Sequence, residues 1–208
     1  MRTHIYVDGF NLYYGALKST SYKWLDLSSL FREILKPHHD ILKIKYFTAR
    51  VKSHPSDPSK PQRQNIYLRA LQHYCPEIEI YFGHFLSHTA LAPLAKPGRG
   101  PRLVNIIKTE EKGSDVNLAV HLLNDGWTNA YDCAIVVTND SDIAEAMRLV
   151  KEMHKGKQLG LITPSKRHPS LQLVTHADFV RGISENALRG SQLPLQIPGT
   201  NLIKPTSW

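Results

Sequence analysis

Cysteine and long apolar runs are scarce in this sequence. Only Cys75 and Cys133 occur among 208 residues, and no CxxC or Cys/His spacing accompanies them. A disulfide scaffold and a zinc site are therefore both disfavoured. No stretch approaches the ~20 apolar residues of a membrane span. The first apolar run ends at Asp8, too early for a signal peptide. These absences predict a reducing compartment, the cytoplasm, and no membrane partner.

The overall composition is that of a folded, basic protein. Hydrophobic residues make up 41% and charged residues 21% of the chain, and the formal net charge is +8. Intrinsic disorder is thus unlikely for most of the length. A positive surplus favours a polyanionic partner, although many soluble proteins are basic for solubility alone. The length predicts one domain, over residues 1–185, followed by an extended tail over residues 186–208 that contains three prolines.

Short β-branched runs alternate with helical patterns, which predicts an α/β fold with a parallel sheet. Strands are predicted at residues 5–7, 41–51, 78–85, 134–137 and 159–162. Helices are predicted at residues 12–18, 27–35, 62–74, 114–126 and 141–154, with a weaker one at 169–174. Two connectors, residues 52–60 and 87–105, are predicted to be loops because they are rich in proline, serine or glycine, and both are basic.

Four aspartates follow strands or begin helices at one predicted rim of the sheet. Asp8 follows the first strand, Asp140 and Asp142 follow the fourth, and Asp115 begins a helix. Ligands of open parallel sheets collect at this edge. Converging carboxylates repel one another unless a cation compensates, and hard oxygen ligands suit Mg²⁺ or Mn²⁺. Such a cation can activate water for phosphodiester cleavage. Taken singly, each aspartate is better explained as a turn or helix cap, and only the four together favour a site.

Three segments resemble the signatures of NYN domains, which are PIN-like nucleases, most closely those of the bacterial LabA-like branch. They are IYVDGFNL at residues 5–12, KGSDVNLA at 112–119 and VTNDSD at 137–142. The similarity extends over about residues 5–180. Three ordered motifs at matching elements are more specific than any one of them.

The resemblance implies a parallel sheet of order 3-2-1-4-5 with helices on both faces, and a metal-dependent ribonuclease that uses Mg²⁺ or Mn²⁺. Asp8, Asp115 and Asp140 match metal-binding acids, and Asp142 matches a further acidic position that varies among relatives. Asn11 and Thr138 match polar positions that support the site, although both could simply be caps. RNA, single-stranded or structured, is the implied substrate, and self-association is left open.

Basic residues in the segment before Asp115 are weaker candidates for RNA contacts. They are Arg99, Arg102, Lys108 and Lys112. They could follow a phosphate backbone while Tyr13, Tyr14 or Tyr81 stack on bases. A solvated basic face and core tyrosines explain them slightly better.

Three other functions compete with the nuclease. A PIN-like module could bind RNA or a protein without cleaving. A haloacid-dehalogenase-type phosphatase would need a second aspartate at the position of Phe10, and a Toprim-type enzyme would need glutamate in place of Asp8. The presence of all four acids favours the nuclease over these alternatives.

Overall fold

The computed structural model describes residues 1–96, 100, 102–164, 168–206 and 208. Within these residues, seven strands form one sheet of order β4-β3-β2-β1-β5-β6-β7. The strands are β1 (Arg2–Asp8), β2 (Asp40–Ala49), β3 (Ile78–Pro93), β4 (Leu103–Lys112), β5 (Cys133–Val137), β6 (Gln158–Thr163) and β7 (Phe179–Gly182). All neighbours pair in parallel except β3 and β4, which are antiparallel.

Helices cover both faces of the sheet. They are α1 (Gly9–Leu12), α2 (Leu27–Ile34), α3 (Lys60–Tyr74), α4 (Ser114–Trp127), α5 (Ala144–Met153), α6 (Leu171–Val174) and α7 (Glu185–Gly190). A π-helical turn (Tyr13–Leu17) continues α1, and a 3-10 turn (Ser141–Ile143) precedes α5. Among the described residues, no helix combines the length and apolar character needed to cross a membrane.

The two faces of the central strands form two separate cores. Ile5 and Val7 of β1 face a core shared with α2, α3 and α7, whereas Tyr6 faces a core shared with α4 and α5. This alternation follows from the side-chain period of a strand. All five residues of β5 are buried, as expected for a parallel strand covered on both sides.

The predicted α/β class is confirmed. The five strands predicted from the sequence are β1, β2, β3, β5 and β6, and they lie in the order that the family resemblance implies, β3-β2-β1-β5-β6. The structure adds β4 beside β3 and β7 beside β6. The predicted loop over residues 87–105 was wrong at both ends, since residues 87–93 belong to β3 and residues 103–105 belong to β4. Both strands of this hairpin are largely exposed, so they lack the hydrophobic alternation by which a half-buried strand is recognised.

A buried polar cluster fixes α4 against the sheet. Asp125, near the end of α4, accepts hydrogen bonds from Lys45 Nζ and Tyr6 Oη, both at 2.6 Å, and lies 3.4 Å from His4 Nδ1. Burial acts to raise the pKa of Asp125, but hydrogen bonds from His4, Lys45 and Tyr6 outweigh it and hold this pKa below its usual range. The cluster therefore anchors the helix whose first turn carries Asp115.

The segment after residue 185 packs on the first core. Residues 185–190 are helical, where an extended segment is expected from the sequence, and Leu193, Ile197 and Leu202 are buried. Trp24 Nε1 donates a hydrogen bond to the carbonyl of Pro194 at 2.8 Å. The apolar side chains of this segment thus form part of the first core.

Candidate functional site

The carboxyl ends of β1 and β5 lie side by side at one edge of the sheet. Val7 pairs with Val137, so the next residues, Asp8 and Thr138, are neighbours. Thr138 Oγ1 donates a hydrogen bond to Asp8 Oδ2 at 2.9 Å, and its side chain is fully buried. The parallel register alone therefore brings two of the sequence motifs together.

Asp8 is almost completely buried, with 4% of its surface exposed. Its Oδ1 accepts a hydrogen bond from the Asn11 backbone N–H at 2.9 Å, so Asp8 is the N-cap of α1. Burial raises the pKa of Asp8, and the nearby charge of Asp140 acts in the same direction, although the two hydrogen bonds oppose them. A β-carbon on Gly9 would lie 2.7 Å from Tyr46 Cζ, so only glycine fits after this aspartate.

The turn after β5 is held by side chains from both strand ends. The Asp140 backbone N–H donates to Thr138 Oγ1 at 3.1 Å, and the Asn139 backbone N–H donates to Asn11 Oδ1 at 3.0 Å. Asp140 Oδ1 in turn accepts the Asp142 backbone N–H at 3.0 Å, which caps the 3-10 turn. Asn11 and Thr138 thus fix the backbone that presents Asp140.

Asp115 reaches the same place from the other side, at the start of α4. Gly113 precedes it with a φ of +96°, a conformation that favours glycine, and reverses the chain from β4 into the helix. Glu111 accepts hydrogen bonds from Ser114 N (3.1 Å) and Ser114 Oγ (2.7 Å). Burial, followed by the charges of Asp8, Asp140 and Glu111, raises the pKa of Asp115 to about 7.

These elements surround an open cleft, called here the acidic cleft. It is lined by Asp8, Asn11, Glu111, Asp115 and Asp140, together with neighbouring aromatic and polar residues. Thr138 lies behind Asp8, whereas Asp142 is exposed and does not line the cleft. The sequence reasoning missed Glu111. Its place immediately before the KGSD segment, in a strand, was the available signal.

The sequence pattern of the NYN domain matches residues 2–181. The chain belongs to the NYN family. Two further similarities accompany this match. The chain is 35% identical over its whole length, and over 75% of the relative, to 6-hydroxy-3-succinoylpyridine 3-monooxygenase HspA of Pseudomonas putida. Its fold is similar to the crystal structure of a protein of unknown function from Vibrio parahaemolyticus, with a TM-score of 0.56, 18% identity, and coverage of 92% and 96% of the two chains.

The NYN fold is a PIN-like, nuclease-type fold, and such nucleases typically use divalent metals. The donors of the acidic cleft are all oxygens, which fits Mg²⁺ or Mn²⁺. In the described part of the chain, however, no three Asp, Glu, His or Cys side chains are grouped tightly enough to hold a metal ion. Magnesium is commonly held by one or two carboxylates with retained waters, so an open cleft of this kind is compatible with it.

The basic residues suggested for RNA contacts occupy different places in the NYN structure. Lys108 and Lys112 pair with Glu110 at 2.6 and 3.4 Å. All three lie on the opposite face of β4 from Glu111, because residues alternate along a strand. Arg102 directly precedes β4 and lies roughly 30 Å along the strand from Lys112 at about 3.3 Å per residue. Arg99 falls outside the described residues.

A second pocket of the NYN domain adjoins the acidic cleft and shares Phe10 and Tyr14 with it. It lies between the π-helical turn and the first turns of α3 and is called here the aromatic slot. Tyr13, Tyr67 and Trp208 contribute rings to its lining. Lysine and arginine side chains, from Lys23, Lys60 and Arg63, complete it.

Proposed function

We propose that this protein is a metal-dependent ribonuclease that hydrolyses phosphodiester bonds of RNA at the acidic cleft. One observation carries the proposal. Carboxylates from three separate elements line one cleft, and their mutual repulsion, added to burial, raises the pKa of Asp115 to about 7. Uncompensated negative charge of this kind is typical of functional sites and favours a cation.

In this proposal Asp8, Asp115 and Asp140 would hold the cation, in part through its retained waters, and Asp142 contributes its charge from the rim. A divalent cation supplies Lewis acidity and an activated water when bound. Thr138 and Asn11 act as positioning residues. The Thr138 hydroxyl holds the carboxylate of Asp8, and Asn11 holds the backbone turn that leads to Asp140.

RNA is the proposed substrate because the NYN resemblance implies it and because the net charge of +8 favours a polyanion. The acids alone would repel a phosphate, so the cation also makes the cleft accessible to the RNA backbone. Positive side chains of the aromatic slot lie beside the cleft and would attract the strand.

The test is incubation of the purified protein with labelled single-stranded RNA, with Mn²⁺ and separately with chelator. Asp8→Asn and Asp115→Asn should each abolish Mn²⁺-dependent cleavage, since each removes a charge that the cation requires. Asp40→Asn is the matched control, because Asp40 is an exposed aspartate at the opposite edge of the sheet. Undiminished cleavage by Asp8→Asn, purified to remove contaminating nuclease, would refute the proposal. RNA binding without cleavage in any metal would indicate the alternative, a PIN-like module that only binds.

The printed name of the Pseudomonas relative gives a second candidate, hydroxylation of a pyridine ring. The supporting observation is the aromatic slot, where rings from Tyr13 and Tyr67 and cations from Lys60 and Arg63 suit a flat ring that carries a carboxylate. Oxygen consumption with 6-hydroxy-3-succinoylpyridine and a nicotinamide or flavin reductant tests this candidate. No uptake above a protein-free control would reject it.

A further inference from the structure

The aromatic slot has walls suited to a flat, unsaturated ring. Tyr13 and Tyr14 stand next to each other on the π-helical turn, with ring centroids 5.3 Å apart in an edge-to-face arrangement. Trp208 packs edge-to-face on Tyr67 at 5.5 Å on the other side. Tyr14 is 55% exposed, with Lys18 Nζ 4.9 Å from its ring centroid, so part of the residue is accessible to a ligand. Aromatic side chains of this kind stack on nucleobases without regard to their identity.

Positive charge borders the slot at the start of α3. Lys60 and Arg63 lie in the first turn of this 15-residue helix, which has no acidic residue there and no side-chain cap from Ser59. The helix dipole disfavours cations at this end, so an anion would relieve the repulsion. Arg63 binds Asp57 at 2.5 Å and also Ser59, yet its Nε is buried without a hydrogen-bond partner.

The slot is continuous with the acidic cleft, because Phe10 and Tyr14 line both. A chain that crosses the cleft can therefore continue into the slot. We propose that the slot binds one nucleotide of the RNA strand beside the scissile phosphate, with its base on Tyr14 and a phosphate near Lys60 and Arg63. This proposal rests on the proposed function and names where the neighbouring nucleotide lies.

The chemistry of the slot selects this occupant over others. Lys60 at the start of α3 favours an anion, while the rings favour a planar partner, and a nucleotide supplies both. An apolar peptide would bring no anion to Lys60, whereas Arg63 is already paired with Asp57. A small aromatic carboxylate meets the same demands and is therefore an arm of the test.

The experiment measures binding of a fluorescein-labelled single-stranded RNA hexamer by anisotropy with Ca²⁺ in place of Mn²⁺, so that a cation offsets the charge of the acidic cleft. A gel of the same samples checks that the RNA is intact. Tyr14→Ala should weaken binding roughly 5- to 150-fold, the usual range for loss of one base–aromatic stack. Tyr14→Phe should retain affinity because the ring remains. Lys60→Ala should reduce the salt dependence by about 0.7 in log–log slope. Tyr74→Ala and Lys36→Ala are matched controls at exposed sites away from the slot, and both should bind as the parent does.

A hexamer with one 4-thiouridine should cross-link to the peptide that contains Tyr13 and Tyr14. Parent-like affinity of Tyr14→Ala, cross-links confined to other peptides, or no binding by the parent protein would each overturn the slot. Displacement of the hexamer by 6-hydroxy-3-succinoylpyridine, but not by adenosine or uridine monophosphate, would also overturn it and assign the slot to a small aromatic acid. The Mn²⁺ cleavage assay is independent of these results. If the parent cleaves RNA and Tyr14→Ala binds the hexamer as the parent does, the ribonuclease proposal stands and the slot proposal is rejected. If Tyr14→Ala weakens binding but the parent does not cleave, the slot proposal stands and the ribonuclease proposal is rejected.

Discussion

Protons and a divalent cation should compete for Asp115, and the structure sets the size of the effect. The pKa of Asp115 is raised to about 7, first by burial and then by Asp8, Asp140 and Glu111. The cation binds the ionised form, so the apparent association constant is scaled by the ionised fraction. That fraction is about one in eleven at pH 6 and about ten in eleven at pH 8 for a pKa near 7. Apparent affinity should therefore increase about tenfold from pH 6 to pH 8.

Isothermal titration of Mn²⁺ at the two pH values measures the change directly. Asp115→Asn is the control, since it should bind Mn²⁺ more weakly and lose most of the pH dependence. In chelator, carbon-13 shifts of the aspartate carboxyls should show one group that titrates near neutrality and disappears in Asp115→Asn. An Asp115 carboxyl that titrates near pH 4, or equal Mn²⁺ affinity at pH 6 and pH 8, would refute the electrostatic reasoning.

Three further variants test the framework, with unfolding by denaturant as the common measurement. Thr138→Val should lower the free energy of unfolding by about 1–3 kcal/mol and weaken Mn²⁺ binding, because the Thr138 hydroxyl bonds both to Asp8 and to the Asp140 N–H. Thr138→Ser keeps the hydroxyl and should retain both the stability and the Mn²⁺ binding of the parent. Gly83→Ala should lower the free energy of unfolding by about 1–3 kcal/mol, because the new β-carbon would clash with the Glu111 carboxylate and lie 2.5 Å from the Lys112 carbonyl oxygen. Gly156→Ala is the control and should leave stability unchanged, because no atom lies within 4 Å of its β-carbon. Asp125→Asn should lower the free energy of unfolding by about 3–5 kcal/mol, because it leaves Lys45 buried without its counter-charge. The double variant Asp125→Asn, Lys45→Met should be less destabilised, because it removes the buried charge as well. Parent-like stability of Asp125→Asn would show that the ion pair is dispensable.

The central part of the fold was predictable because burial determines it. The runs at β1, β5 and β6 are apolar and continuous, which is typical of covered parallel strands, and their order followed from the family resemblance. The acids at the ends of β1 and β5 and at the start of α4 could be assigned to one rim because parallel strands end at the same edge. Their convergence on one cleft agrees with that reasoning for Asp8, Asp115 and Asp140.

The hairpin and its consequences could not be predicted in the same way. The strands β3 and β4 stabilise each other through backbone pairing while most of their side chains remain exposed, and backbone pairing leaves little trace in a hydrophobic pattern. The position of Glu111 depends on this pairing, as does the separation of Lys108 and Lys112 from the cleft face. The exposure of Asp142 depends on one turn of 3-10 helix, a local geometry that residue spacing does not specify.

The charged face of β4 has a consequence for solubility. This strand forms one edge of the described sheet, and Ile107 on it is 81% exposed, so it offers an apolar template on which a strand from another molecule could pair. Lys108, Glu110 and Lys112 occupy alternate positions on the other face of this strand and form a chain of ion pairs. An incoming strand would have to disrupt those pairs or place its own charges against them. Lys108 and Lys112, which suggest RNA contacts in the sequence, thus place charge along this edge strand, where charge disfavours pairing with a strand of another molecule.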